Sequence, residues 1–328
     1  MKLGSNRVIS IVVCSALGVL GCESPDVGST AFPATPADGP MPAIGPAPDT
    51  YRPTAAGAPR TDIWLGMLVR DGDELIIQNL SNATDRDGYD NQPSFAQDGS
   101  AIYYVSAVDS TQTEVFRYVT RSGAIERVTN TEGVSEFSPT MIPAQDAFSA
   151  IHEIRGKQYL WRYGSEGGDI GAIFSTAEPV GYHAWADEYT VAMFVLGSPA
   201  TLQVGNALTG GIRVVAESPG RSIHRIPDSN EVSFVRKVSE DEWWIERLNP
   251  QTGDTERLTR TVPAAEDYAW TPEGEIIMGK GSTLHRWTTD TGWTEFQDLV
   301  GVGIEGITRL AVSPDGTMIA IVANRSAA

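Results

Sequence analysis

Four histidines, the acids that fall near them and two cysteines are the residues of this 328-residue chain whose types could carry chemistry. His183, His224 and Asp267 combine imidazole with carboxylate, donor types that suit zinc, and such a site needs three or four donors converging within about 2.0–2.2 Å of the ion. Tyr182, Tyr268 and Arg309 occupy neighbouring repeat positions and complete a candidate polar ligand site with them. The alternative is that each of the two histidines bonds backbone of an adjacent structural unit, because buried polar groups take partners. His152 and His285 read as packed or edge residues. Catalytic signatures are missing: there is no G-x-S-x-G, since Gly164-Ser165-Glu166-Gly167 has the wrong spacing, and no H-E-x-x-H, P-loop or dinucleotide fingerprint. Asp85-Arg86-Asp87-Gly88 resembles part of a calcium loop, but Ala83 stands where the first carboxylate belongs, so it reads as a polar turn. No catalytic residue and no cofactor are expected.

The elements that must position these residues are short apolar runs separated by Gly, Asp and Asn, with little 3.6-residue periodicity, which predicts an all-β domain over residues 61–328. Three segments nearly superpose: Pro93–Gly99, Tyr268–Gly274 and Leu310–Gly316. Each ends in Asp-Gly or Glu-Gly before another apolar run, a hairpin signal. Weaker copies start at Pro139, His183 and His224. The spacing between copies runs from 41 to 46 residues with a mean near 43, so six units fit. Third strands follow at Val115–Tyr118, Leu160–Tyr163, Leu202–Gly205, Ile245–Leu248 and Leu284–Trp287. Fourth strands follow at Ile125–Thr129 and Thr255–Thr259. Four strands per unit of this length predict a six-bladed β-propeller of four-stranded antiparallel blades. The last unit stops after two strands, and the first begins with a third, Ile63–Met67, and a fourth, Leu75–Leu80. One blade is therefore closed by strands from both termini.

In that register the innermost strands present Pro93, Pro139, His183, His224, Tyr268 and Leu310 around one ring. Gln92, Ser138, Tyr182, Ile223, Asp267 and Arg309 come just before them, near one mouth of the channel. Arg117, Arg162, Arg247 and Arg286 recur in the third strands, which suggests structural bonds to the next blade. Trp243 and Trp244 must face opposite sides of one strand.

Ahead of the domain, Lys2 and Arg7 precede an apolar run from Val8 to Leu20. The run is too short for a membrane span of about 20 residues and has the form of a signal peptide. Val19-Leu20-Gly21-Cys22 resembles the bacterial lipobox, which implies a lipoprotein signal peptide over 1–21 and lipidation of Cys22 at the mature N-terminus. Residues 22–60 hold nine of the twenty prolines and read as a flexible Pro-rich tether. Loss of the signal removes two basic residues and no acid, taking the net charge from -18 to -20. That acidity excludes a nucleic-acid partner.

Pro93–Gly99 and Val312-Ser313-Pro314-Asp315-Gly316, each followed by a short apolar strand, resemble the repeat of TolB-like propellers, a branch of the WD40-like superfamily, over residues 61–325. In three units the turn glycine is replaced, by Gln145, Tyr189 and Asn230. The resemblance implies an exported, monomeric propeller of the bacterial cell envelope that binds an envelope protein or peptide and meets the membrane only through its lipid anchor. The alternative is a small-ligand or metal-dependent hydrolase or lactonase-type site at the channel mouth.

Overall fold

A computed structural model describes residues 60–324 except Ser110. The expected signal peptide, Cys22 and nearly all of the tether lie outside the described residues. The described chain forms six four-stranded antiparallel sheets. β1 (Thr61–Asp71) and β2 (Glu74–Asn82) supply the outer half of blade 1. Blade 2 follows as β3 (Asp90–Phe95), β4 (Ala101–Ala107), β5 (Thr113–Val119) and β6 (Ile125–Arg127). Blade 3 is β7 (Ser135–Met141), β8 (Ala147–Ile154), β9 (Lys157–Gly164) and β10 (Asp169–Ala172). Blade 4 is β11 (Val180–Trp185), β12 (Thr190–Val195), β13 (Thr201–Asn206) and β14 (Ile212–Glu217). Blade 5 is β15 (Pro219–Arg225), β16 (Val232–Lys237), β17 (Trp243–Leu248) and β18 (Thr255–Arg260). Blade 6 is β19 (Tyr268–Trp270), β20 (Ile276–Lys280), β21 (Thr283–Thr288) and β22 (Gly292–Asp298). β23 (Ile307–Val312) and β24 (Met318–Asn324) then return to blade 1, where the strand order β2-β1-β24-β23 joins both ends of the described chain in one sheet. Closure of this kind leaves no long free sheet edge.

The hairpin glycines that announced the repeat take the backbone that only glycine adopts freely: Gly99, Gly274 and Gly316 have φ of 73°, 83° and 71°. The second strands are the driest part of each blade. Ile102–Val105, Phe148–Ile151, Val191–Met193 and Ile319–Ala323 are all buried, and they form the cores between successive blades. Polar bonds supplement this packing at the seam of the ring. Gln297 of blade 6 accepts from the Ile77 amide (2.8 Å) and donates to the Ile77 carbonyl (3.2 Å) on β2 of blade 1.

The third-strand arginines only partly form the expected bonds between blades. Arg117 binds Glu126 in its own blade (2.6 Å) and Glu166 in the next (2.8 Å), and Arg286 reaches the Asp73 carbonyl of blade 1. Arg247 instead stays within blade 5, on Glu256 and Glu231, and the buried Nε of Arg162 has no partner among the described residues. The difference follows from which acid the facing turn supplies: Glu166 stands in the β9–β10 turn that meets Arg117, whereas the corresponding β13–β14 turn of blade 4, Ala207-Leu208-Thr209-Gly210-Gly211, holds no acid. Trp243 and Trp244 do face opposite ways: Lys237 covers one ring at 4.4 Å, and Arg257 and Arg260 cover the other at 4.7 and 5.2 Å.

Candidate functional site in the channel

The six innermost strands do not run straight along the axis. Five carry a register irregularity at one level: Asn91/Ser94, Phe137/Thr140, Val180/Tyr182, Pro219/Ile223 and Ile307/Arg309. A bulge bends a strand and re-aims its side chains. Here it turns Gln92, Ser138, Tyr182, Ser222 and Arg309 toward the axis, with Asp267 just ahead of β19. Gln92 and Ser138 hold φ of 56° and 51°, and Gln92 Oε1 accepts from the Ser138 amide at 2.7 Å.

These bulges also correct the expected ring. The strand-end pairs Trp185↔Val191 and Arg225↔Val232 place Ile223, not His224, at the level of His183, Tyr268 and Leu310. His224 is one residue further along, at the level of Ser94 and Thr140. A shift of one residue in a strand reverses the face of every side chain. His183 therefore faces back to blade 3, where Nε2 lies 2.6 Å from Ser149 Oγ. His224 faces forward, its ring 4.6 Å from that of Tyr268, with Nε2 at 3.0 Å from Ser222 Oγ of its own strand. Neither bonds neighbouring backbone, contrary to the alternative raised by the sequence. Burial pushes the His183 imidazole down to about 3. Burial, only partly opposed by Asp267, pushes His224 down to about 4, so both are neutral at pH 7.

His183 belongs to a constellation that occurs twice. Ser149 on β8 accepts from Trp185 Nε1 (2.8 Å) and meets His183; Ser233 on β16 accepts from Trp270 Nε1 (2.8 Å) and from Tyr268 Oη (2.7 Å). In each case a serine on one second strand is bonded by two side chains of the next blade's first strand, two residues apart. Tyr268 is thereby buried behind the channel wall and does not line the cavity.

The channel holds a cavity of about 670 Å³ lined by all six innermost strands and by the turns that follow them, including Gln97, Pro143, Asp228, Pro272 and Pro314. At the end away from those turns the lining is charged. Asp267 accepts from Arg221 Nη2 (2.6 Å) and Nε (3.3 Å) and from Arg309 Nη1. Arg309 then reaches over the axis to Tyr182 of blade 4, with Nη2 3.5 Å from the hydroxyl and the guanidinium 5.4 Å from the ring centre. Burial alone would raise the Asp267 carboxyl, but the attraction of Arg309 and Arg221 outweighs it and holds the group below the usual carboxylate range. The same carboxylate raises both guanidinium values against burial.

The structure thus brings Tyr182, His183, His224, Asp267 and Arg309 to one cavity and sets Tyr268 behind it. Arg221, Trp185, Trp270 and Ser149 were not singled out in the sequence. The two tryptophans do share one position of the repeat, which was the available signal. Metal-binding donors do not converge. The two histidines face opposite ways, both Asp267 oxygens are engaged by arginines, and no group of three His, Cys, Asp or Glu able to hold an ion occurs among the described residues. The Asp85–Gly88 turn has another use: Arg86 reaches back to the fully buried Asp90 at 2.9–3.0 Å.

No known family model and no curated protein match the chain. Solved structures do. A protein titled as a TolB from Agrobacterium tumefaciens superposes with a TM-score of 0.64 at 14% identity, over 83% of this chain and 100% of that one. The chain shares the six-bladed propeller fold of that structure. TolB from Acinetobacter baumannii gives 0.55 at 11% identity over 80% of this chain, which spans 65% of that one. An oligogalacturonate lyase in complex with manganese gives 0.54 at 15% identity, over 76% of this chain and 82% of that one. A propeller of similar fold therefore also carries an enzyme, and the site rather than the fold must decide function.

Proposed function

We propose that this propeller is a lipid-anchored, non-enzymatic protein of the bacterial cell envelope that binds a protein or peptide at the mouth of its channel. The observation that carries the reading is the cavity itself, which runs from the hairpin turns to the Arg221–Asp267–Arg309 chain, whose ionisable groups are bonded to one another. The direction of the ring supports it. Thr61 starts β1 beside Asn324 and Tyr89, on the face of the loops that enter the innermost strands, whereas the cavity opens among the turns that leave them. A tether ending at residue 60 would therefore join the ring on the face away from those turns and leave them free of the attachment point. No helix among the described residues is long and apolar enough to cross a membrane.

Crosslinking in the native envelope followed by mass spectrometry tests the reading. A partner crosslinked to the turns around Pro143, Pro272 and Pro314 is expected, and a Cys22→Ser variant is expected to be released from membranes. Recovery of no partner, together with a stoichiometric bound metal, would overturn it.

A further inference from the structure

The charge of the cavity opposes that of the chain. The whole sequence is acidic, with a net charge of -18, yet the ionisable lining residues that are charged at neutral pH are Arg221, Arg225 and Arg309 against Asp228 and Asp267. A concave, low-dielectric site with one excess positive charge concentrates anions even on an acidic protein. The excess sits at the inner end. Asp267 neutralises one guanidinium of the Arg221–Arg309 pair, and neither arginine exhausts its donors on it. Arg221 Nη1 and Arg309 Nε have no protein acceptor among the described residues. The rest of the wall, apart from Arg225 and Asp228, carries no group charged at neutral pH and mixes prolines with uncharged polar side chains such as Ser94, Thr140 and Ser313. Pro93, Pro139, Pro143, Pro227, Pro272 and Pro314 have no amide hydrogen to offer, and the indole N–H groups of Trp185 and Trp270 are engaged by Ser149 and Ser233.

We propose that the inner end of the channel is a carboxylate site, in which Arg309 and Arg221 take the anionic group of an extended peptide whose remaining residues lie along the apolar and proline-lined wall. This inference rests on the peptide-binding reading above and gives it a chemistry. Arginine suits the task because each guanidinium carries five donors, so one already bonded to Asp267 still has N–H groups to offer, and the two together can hold one carboxylate. The depth sets the length. From Arg309 to Pro314 the wall is five residue steps, about 17 Å of extended chain, so a peptide reaching Arg309 would place about five residues inside. The carboxylate could be a chain terminus or an Asp or Glu side chain, and the same site chemistry serves both.

The test uses the mature chain immobilised through its N-terminal tether and a randomised pentapeptide library made in two halves, one with free C-terminal acids and one with C-terminal amides. Mass spectrometry reads the retained peptides at millimolar total peptide. Retention confined to free acids supports a terminal carboxylate, and retention of amides enriched in Asp or Glu supports a side-chain carboxylate. Equal retention of both halves without acidic enrichment, or retention of neither, overturns the inference. For the best retained peptide, Arg309→Gln is expected to weaken binding about tenfold or more, as loss of a charged hydrogen bond does. The comparison of acid with amide on the unaltered protein decides the matter if that variant does not fold. A crosslinked envelope partner alongside a library that shows no carboxylate preference would leave the peptide-binding reading standing and remove only this inference.

Discussion

Arg309 on blade 1 reaches Tyr182 on blade 4, three blades away and across the channel, with its guanidinium 5.4 Å from the tyrosine ring centre and Nη2 3.5 Å from the hydroxyl. A side chain that spans a ring of six blades ties its two halves together. What holds it there is the other nitrogen, Nη1, on Asp267 of blade 6, which in turn holds Arg221 of blade 5. Four blades are therefore linked through one carboxylate.

That arrangement makes Asp267 costlier to lose than either arginine. Asp267→Asn removes the charge that both guanidinium groups bond, and breaking a buried pair in this way costs about 3 kcal/mol or more. Arg309→Gln leaves Asp267 still paired with Arg221 and is expected to cost less than half as much. Urea unfolding of the two variants beside the parent checks the order. An equal or inverted order would show that Asp267 does not hold the chain of charges together.

The twinned serine constellation predicts matched effects at distant sites. Ser149→Ala strands the Trp185 N–H and a nitrogen of His183; Ser233→Ala strands the Trp270 N–H and the Tyr268 hydroxyl. Each leaves two buried polar groups without a partner and is expected to cost about 2–4 kcal/mol by thermal or urea unfolding. Trp185 and Trp270 are the readout of place. Their fluorescence is expected to shift on substitution of the serine each one bonds, and not of the other.

Much of the architecture was legible because it is written in local chemistry repeated six times. Asp98-Gly99 and Asp315-Gly316 mark hairpins by a positive φ that few other residues take, and the abrupt end after Val322 told that Ile63–Met67 completes a blade. The site was less legible because its geometry turns on single residues. The β11 and β15 hairpins pair Trp185↔Val191 and Arg225↔Val232, six and seven residues apart, and this difference is invisible in degenerate turns built on Tyr189 and Asn230. It moved His224 to the wrong face and put Ile223 where Ser222 belongs. That slip hid Arg221, the residue beside the true position. That Arg162 and Arg247 make no bond to an acid of the next blade was beyond reach for a similar reason: the repeat fixes where an arginine stands, but not which acid the facing turn carries.

Closure of the ring predicts a local effect at β2. The Ile77 amide points outward from the last strand of blade 1, and Gln297 of blade 6 receives it. Gln297→Leu removes both bonds and is expected to cost about 1–2 kcal/mol. Hydrogen exchange at Ile77 is expected to speed up by more than exchange in β8 or β12, which lie away from the seam. Uniform acceleration around the ring would mean that the seam has no separate stability.

The pH dependence of stability follows from buried groups that oppose one another. Glu136 on β7 is fully buried beside Glu114. Burial first, and Glu114 second, push its carboxyl up to about 8, while Tyr163 Oη (3.2 Å) and Thr129 Oγ1 (3.3 Å) donate to it. An acid whose folded value lies above its unfolded value of about 4.3 holds a proton in the folded state that the unfolded chain has lost. It therefore lowers stability as pH rises from about 4.3 until the folded group itself ionises near 8. His183 and His224 act the other way. Their folded values of about 3 and about 4 lie below the unfolded value of about 6.5, so the unfolded chain takes up protons that the folded one refuses. Stability then falls as pH drops below about 6.5. His152 is also held low by burial and acts with them, so the histidines outweigh the one glutamate up to about pH 6.5, above which the glutamate takes over, and the maximum is expected between about pH 6.5 and 7. Glu136→Gln is expected to flatten the decline between pH 6.5 and 8 and to steepen the acid limb, where Glu136 no longer offsets the histidines. Unfolding free energies measured in urea from pH 4.5 to 8.5 decide the point: a parent curve that keeps rising to pH 8 would show that Glu136 is ionised in the folded ring.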